Sequence, residues 1–599
     1  MIEDNTPTVT ARRRRPTQVM RIRLENARRL QSLHAKSRAK RKRSSKAAKT
    51  TEQAAAPPGT HTYEIAPRIP KIKKNTLSHP PRPDSKFQKR QRSKVWLPTH
   101  VFHAKRAHVS PLWRFALPVS PTAKSYRPSH RASRARGAVA WDTSYMSTIQ
   151  LEGTAVGLEA VLRGLGIDGD EAWGPKGRKW RSGTRSLETW AFERDNGSSP
   201  KRPIAPVSLI FWRACLKDDH KAKKDKLFVR IHPSAFLQLW NDILDLSKKQ
   251  SPPVMVEDLR FEIGSIQITG PGSTEALLAA LQPIRGSEAD SPESTWSSLA
   301  GVTNPSSLPQ NALLAFSISD PRLSFPPKRL TIPAMDDSRM NDLAVLLSSW
   351  PPDKAQTSAT TLFDRRARLA AIRNLPSQKA INRRRTLAGP GKHPPSQPND
   401  PQIPIILHTS RPTTRSTNLL PGTWTVLLPW KCVLPVWYSL MYYPLSSGGN
   451  PGFGGVKEQQ QLAFEACVPW FPGDFPGTRA GWAWNQRERD FARKEWQRRP
   501  KGRRVEFESL DLGNGRKGEV GLGWACDWEK LVQPDATAQE KTGVDSHSDR
   551  MDEDVQEEEE EEKEKKKKKN TSNKTKTKKT KKTKKNKPHH KHRPTKQIN

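Results

Sequence analysis

The sequence predicts an α+β protein: two folded regions flanked by a basic arm and a charged tail. Three observations carry this reading. A strand–glycine–helix order occurs twice, at IQLEGTAVGLEAVLRGL (Ile149–Leu165) and IQITGPGSTEALLAAL (Ile266–Leu281). Further apolar strand-like runs are mixed with short helical patterns, the pattern of an α+β domain. With 34% hydrophobic residues and 52 prolines in 599, the chain suits ordered modules separated by solvated linkers better than one continuous core.

Taken in order, residues 1–84 read as a basic arm and linker. RRRRPTQVMRIRLENARRLQSLHAKSRAKRKR (Arg12–Arg43) carries a thin apolar stripe of Met20, Leu24, Ala27 and Leu30, which predicts a basic helix. Residues 85–345 form the first folded region. Trp141–Leu151 has strand character, and Leu158, Val161, Leu162 and Leu165 fall on one helical face. Val207–Cys215, Phe228–Ile231 and Ala312–Ile318 read as strands, and Pro233 can open a helix buried through Phe236, Trp240, Ile243 and Leu244. The two strand–glycine–helix units are either a weak internal repeat or a common unit met twice. Residues 282–310 and 350–400 are polar and proline-rich and read as insertions or linkers, with a domain linker at 346–401. A second α+β domain is expected over 402–532, built from IPIILH, TWTVLLPW and VLPVWYSLMYY as strands or buried segments, then a glycine-rich loop entering a helix (Ser446–Val468). EEEEEEKEKKKKK (Glu557–Lys569) and the lysine-rich run after it predict a disordered tail over 533–599.

The formal charge is +45, and up to Ala140 there are 34 Lys and Arg against six Asp and Glu. Such a balance calls for an acidic partner, with nucleic acid the first candidate. The four cysteines, Cys215, Cys432, Cys467 and Cys526, contain no CxxC pair, so neither a zinc ribbon nor a disulfide framework is suggested. A reducing compartment fits. No apolar run approaches the roughly 18 residues of a membrane span, and the N-terminus lacks an apolar signal region. A soluble cytosolic or nuclear protein with no membrane partner is expected.

LPTHVFHAKRAHV (Leu97–Val109) holds His100, His103 and His108. A zinc site would need further soft ligands on a closed frame, and no cysteine is near. A nucleophilic triad lacks its serine and carboxylate. A phosphate-binding surface explains more: Lys105 and Arg106 supply charge, His103 and His108 can donate or stack, and Phe102 and Trp113 offer aromatic faces. Lys86, Lys89, Arg90, Arg92 and Lys94 lie upstream; Lys124, Arg127, His130 and Arg131 lie downstream. Arg12, Arg13, Arg14 and Arg15 read either as an RNA-binding arm or as part of a solvated charge run. His100 and Trp96 are expected to be mostly structural. The loop SSGGNPGFGGVKE is not a Walker A loop, because Lys457 is followed by Glu458. It can be a phosphate cradle at a helix N-terminus or a structural turn. No catalytic or metal-binding residue is assigned.

KVWLPTHVFHAKRAHV, followed by WRFALPVSPTAKSYRPSHRASRARGAVAWDTSY, resembles the signature of the largest protein subunit of eukaryotic ribonuclease P and ribonuclease MRP. PVWYSLMYYPLSSGGNPGFGGVKEQQQLAFEACVPWFPGDFPGT resembles that family's second conserved domain, and RRRRPTQVMRIRLENARR its basic N-terminal motif. The resemblance implies a folate-binding aminomethyltransferase-like core and a noncatalytic RNA-binding scaffold. The partners it implies are ribonuclease P RNA, ribonuclease MRP RNA and smaller protein subunits. The substrates of the assembly are precursor tRNA, matured at its 5′ end, and precursor rRNA. It implies no cofactor on the protein, Mg²⁺ on the RNA, and a nuclear and nucleolar location. Carried onto this chain, the RNA-bracing residues are Lys94, His103, Lys105, Arg106, His108, Lys124, Arg127, His130 and Arg131, with Lys457 at a domain junction or RNA contact. The chain resembles fungal members but departs after about Val532, where Glu- and Lys-rich repeats replace a further family segment. Two alternatives stand beside this: a folate-dependent aminomethyltransferase-like enzyme, and a nonspecific basic nucleolar RNA-binding protein. The enzyme would need an acidic folate anchor, and between Glu64 and Glu152 the only acidic residues are Asp84 and Asp142.

Overall fold

The computed structural model describes residues 95–193, 202–212, 224–284, 291–330, 336–348, 350, 360–411, 422–504 and 524–525. The predicted basic helix and the Glu/Lys tail lie outside the described residues, as do Arg12, Arg13, Arg14, Arg15, Lys86, Lys89, Arg90, Arg92 and Lys94. Met1–Arg498 make one compact unit and Arg499–Asn599 a second, whose regular described structure is a 3₁₀ turn at Lys501–Arg503.

The first unit begins with a short strand β1 (Val95–Trp96), one helical turn α1 (His100–His103), and the strands β2 (Ala107–Leu112) and β3 (Phe115–Pro121). Helix α2 (Tyr126–Arg134) leads to β4 (Val139–Asp142) and β5 (Ser147–Gly153). The sequence reads Trp141–Leu151 as one strand, but the Asp142 carboxylate accepts from Ser144 N–H at 2.9 Å. That local turn, of the kind Asp side chains favour, sends the two halves into different sheets.

Helix α3 (Ala155–Gly164) is opened by Thr154, whose side chain accepts from Gly157 N–H. Then come β6 (Ser186–Phe192), β7 (Pro203–Trp212), β8 (Asp225–Ile231), α4 (Phe236–Lys248), β9 (Met255–Asp258), β10 (Ile263–Thr269) and α5 (Ser273–Ala280). Helix α6 (Pro292–Ser298), β11 (Leu313–Ile318), α7 (Arg365–Asn374) and α8 (Gln378–Ala388) follow. The remainder is β12 (Ile403–Ser410), β13 (Thr423–Pro429), α9 (Val433–Met441), β14 (Gly452–Phe453), α10 (Val456–Glu465) and α11 (Arg479–Arg498).

Among the described residues three sheets result, ordered β1-β3-β2, β6-β7-β8-β5-β9 and β11-β12-β13-β10-β4-β14. The two strand–glycine–helix units serve different sheets. β5–α3 helps build the core of the five-stranded sheet around Ile149, Leu151, Val229 and Trp240. β10–α5 builds the core of the six-stranded one around Ile266, Ile268, Val426 and Trp437. At one end the sheets meet directly, where Ile210 and Phe228 pack with Ile263, Ile406 and Leu427.

The sequence sets a domain boundary near residue 402, yet β12 and β13 lie inside the six-stranded sheet, between β11 and β10. Their registers, such as Ala315↔Ile406 and Ile266↔Val426, join the two regions through backbone ladders. Lifting that pair out would strand rows of buried N–H and C=O groups, so the two regions share one sheet.

The stretches read as linkers are also partly built in. Trp296 in α6 is fully buried, and its indole N–H donates to Leu281 O at 3.2 Å. Asp364 and Ser377 cap α7 and α8 by accepting from Ala367 N–H and Ala380 N–H. Arg368 in α7 is only 1% exposed; its guanidinium donates to Leu362 O and Phe363 O and pairs with Glu262 at 3.4 Å. An arginine-rich stretch reads as solvated, but a guanidinium can be buried when its charge is paired and its terminal N–H groups find acceptors, as Arg368 Nη1 and Nη2 do here.

If residues 282–310 were a solvated insertion, Trp296→Ala would change stability by under about 0.5 kcal/mol. From its burial we expect a loss of about 3–5 kcal/mol, read from the denaturant midpoint of the full chain.

Candidate nucleic-acid interface

Leu97–Val109 is anchored from below by one buried carboxylate. Asp142, 3% exposed, accepts from the Thr99 hydroxyl and from Thr99 N–H at 3.3 Å, as well as from Ser144. Burial pushes its pKa up against these hydrogen bonds. Thr99 in turn holds His103, whose Nδ1 lies 3.0 Å from the Thr99 hydroxyl and 3.1 Å from its carbonyl. Asp142, one of the two acidic residues considered for a folate-dependent enzyme, is therefore engaged by its own chain.

His103 does not reach the surface. It is 1% exposed, packs against Trp437 and Phe453, and its Nε2 has no partner among the described residues. Burial lowers its pKa to about 4. The expectation of an RNA-facing His103 is corrected: one turn of helix puts it on the core side beside Phe102, which meets Trp437, Tyr438 and Phe453 edge-on. Arg106 is half-buried, stacked 4.3 Å from the Phe102 ring centroid and donating to Phe102 O at 3.1 Å. Trp113 also turns inward, between Tyr145, His232 and Trp484. His100 packs on Trp96 at 5.1 Å and its Nδ1 meets Leu97 O at 3.0 Å. Lys105 and His108 are exposed. Among the described residues no group of three His, Cys, Asp or Glu is placed to hold a metal ion.

The glycine-rich segment closes over this region as an edge strand. Gly452 N–H and Gly454 N–H donate to Ala138 O and Ala140 O at 2.8 and 3.0 Å, pairing β14 with β4 in parallel. These donors are therefore taken by the sheet and not offered to a phosphate. Glycine is required by proximity: a Cβ on Gly454 would sit 2.3 Å from Trp141 Nε1, and one on Gly455 would sit 2.4 Å from the Val119 carbonyl. Trp141 Nε1–H donates to Gly455 O at 3.1 Å. At the other end of the loop, Tyr443 OH, Ser446 N–H and Ser446 OH all donate to Glu275.

Closure brings α10 against α2. Ser125 OH donates to Glu458 at 2.7 Å, and Glu458 also accepts from Gly455 N–H. His130 meets Glu465 at 2.5 Å, and Arg134 donates to Glu465 O. Burial works to raise the Glu465 carboxyl, but hydrogen bonds from His130 and Gln461 outweigh it and hold it below its usual range. Between the helices runs an open groove of about 730 Å³ that gathers Lys124, Arg127, His130 and Lys457.

Most of the surviving charge is on α2. Arg127, His130, Arg131 and Arg134 are all exposed, at i, i+3, i+4 and i+7, while Ser129 and Ser133 face inward. Arg134 is absent from the residues expected from the sequence. The helical spacing of YRPSHRASR carried the signal, but the stretch reads as a ribbon until it is recognised as a helix.

Two outcomes follow. Gly454→Ala should cost about 1–3 kcal/mol through overpacking against Trp141. Gly477→Ala, with nothing among the described residues within 4 Å of its added Cβ, should stay within about 0.5 kcal/mol; denaturation midpoints of the two variants decide. The second concerns pH. His103 moves from 6.5 to about 4 on folding, and His232 and His408 from 6.5 to about 3, chiefly through burial. The folded state then binds fewer protons than the unfolded one below pH 6.5. This stabilisation is complete above pH 6.5 and is lost as pH falls toward the folded values, by up to about 1.4 kcal/mol per pH unit for each histidine. Urea midpoints at pH 7 and pH 5 should therefore differ, and His103→Gln should shrink the difference.

Comparison with known proteins places these motifs. The N-terminal model of ribonucleases P/MRP protein subunit POP1 matches residues 1–154, and the POPLD (NUC188) domain matches residues 423–528. The chain is 28% identical over 477 residues to the ribonucleases P/MRP protein subunit POP1 of Saccharomyces cerevisiae, covering 76% of this chain and 51% of that protein. With the Schizosaccharomyces pombe subunit the identity is 28% over 461 residues, covering 74% and 58%. With the Homo sapiens subunit it is 23% over 541 residues, covering 73% and 50%. The chain thus spans about half the length of the curated relatives it matches. Among solved structures it is similar to aminomethyltransferase T of the glycine cleavage system from Bartonella henselae, at 12% identity and a TM-score of 0.33, covering 63% of each chain. The motifs at both ends of the folded unit carry the assignment: the chain belongs to the family of the ribonucleases P/MRP protein subunit POP1.

Proposed function

We propose that this protein is a noncatalytic, RNA-binding scaffold subunit of the ribonuclease P and ribonuclease MRP ribonucleoproteins. In this reading the RNA, with its Mg²⁺, cuts precursor tRNA at the 5′ end and precursor rRNA. The protein braces the RNA fold and docks smaller protein subunits, in the nucleus and nucleolus.

The observation that carries the reading is the cationic face of α2. Arg127, His130, Arg131 and Arg134 share one exposed face. Lys124 and Lys457 extend it across the groove. The carboxylates alongside are engaged: Glu458 by Gly455 N–H and Ser125, Glu465 by His130. A rigid row of cations on a helix held at both ends suits phosphate contacts that position an RNA backbone.

Arg127→Ala combined with Arg131→Ala removes two such contacts and no buried partner. The slope of log K against log salt for the co-purifying RNA should flatten by about 1.4, at roughly 0.7 per contact to single strands. The melting temperature should not move. An unchanged slope with reduced stability would assign these arginines to the fold and sink the proposal.

A further inference from the structure

A pocket of about 200 Å³ lies behind the cationic groove, between the six-stranded sheet and α10. The groove and the pocket share Leu462, and α2 runs from one to the other, lining the groove with Arg127 and His130 and the pocket with Ser133 and Arg134. Its floor is Trp141, Gln267, Thr269 and Thr423; the helix above supplies Leu462, Ala463 and Ala466. Threonines facing alanines leave space where larger side chains would close the gap.

The chemistry of the lining is specific. Among the described residues no carboxylate lines the pocket, and the one charged residue that does is Arg134, which is exposed. Two amides line it with capacity left over. Gln267 donates to Thr425 OH at 3.4 Å, which leaves its carbonyl oxygen without a partner among the described residues. Gln459 accepts from Tyr145 OH at 3.2 Å, which leaves its amide N–H groups without one. An indole, one spare acceptor, one spare donor and a neighbouring guanidinium together match a flat neutral heterocycle that hydrogen-bonds along its edge and is tethered to an anion.

We infer that this pocket receives one unstacked base of single-stranded RNA, whose neighbouring phosphates lie along α2. The inference rests on the RNA-binding reading and adds to it where a base is held and why the strand must be single. A duplex keeps its bases stacked and cannot present one here. An apolar peptide side chain could fill the volume, but it would use neither the spare amide groups nor the guanidinium.

The test uses the full chain and a short single-stranded RNA carrying one 2-aminopurine, with a hairpin of the same composition as control. Ala463→Leu fills the pocket without touching a cation, and Ala466→Leu does so from a neighbouring position should the first variant fail to fold. Wild-type protein should quench the 2-aminopurine on binding and prefer the single strand. The filled variant, with an unchanged melting temperature, should bind about 10-fold more weakly, within the range that one stacked base contributes. It should lose the quench and keep the wild-type salt slope. Arg134→Ala should instead flatten the slope by about 0.7. A folded filled variant that binds and quenches like the wild type overturns the pocket while leaving the cationic face standing. A wild-type protein that binds neither RNA overturns both readings. Binding of an apolar peptide that Ala463→Leu abolishes, with RNA binding untouched, assigns the pocket to a protein partner instead.

Discussion

The structure turns on the two hydrogen bonds by which Gly452 and Gly454 reach the carbonyls of Ala138 and Ala140. They add β14 to the edge of the six-stranded sheet, and only a chain without side chains can come so close to Trp141 and Val119. Once that edge is made, α10 must lie on α2, Glu458 must meet Ser125, and the groove and the pocket both exist. Neither motif makes this surface alone. The N-terminal motif supplies the cations of α2, and the glycine-rich motif supplies Lys457 and the wall that faces them.

Electrostatics is organised by depth. The buried ionic groups near the N-terminal motif are uncharged or internally satisfied: His103 is held neutral by burial, and Asp142 is surrounded by donors from Thr99 and Ser144. Free cationic charge is left outside, on α2 and at Lys457. This division limits desolvation cost, since a buried charge without a partner is far more expensive than an exposed one. It also explains why the motif LPTHVFHAKRAHV combines two roles. Leu97, Phe102, His103 and Ala107 enter the core, while Val101, Lys105, His108 and Val109 stay in solvent.

Much of the fold was legible because strands and helices with clear apolar periods announce themselves; β8, β10, β11, α3 and α4 lie where the sequence predicts them. What was not legible depended on long-range pairing. Nothing local in IPIILH or TWTVLLPW says that they enter the same sheet as Ile263–Thr269. Polar composition hid α6, α7 and α8, which are built in through one buried tryptophan, a paired guanidinium and side-chain caps. At the site, residue types pointed to a basic aromatic surface, but facing could not be read. His103 has the chemistry of an RNA contact and the position of a core residue, and Trp113, half-buried, packs against the core. Arg134 needed the helix to be recognised first.

The edge pairing also has a consequence in time. Trp141 and Gly455, which it brings together, are 314 residues apart in sequence. At roughly 5–20 residues per second of synthesis, the cationic helix leaves the ribosome roughly 15–60 s before the segment that seats it. During that interval a strongly basic peptide is present without its wall, when polyanions of every kind are close by. Sequence-distant closure therefore works as an assembly checkpoint. The shaped surface becomes available only after nearly the whole folded unit has been made, and a chain cut short before Gly452 would keep the charge but lose the shape.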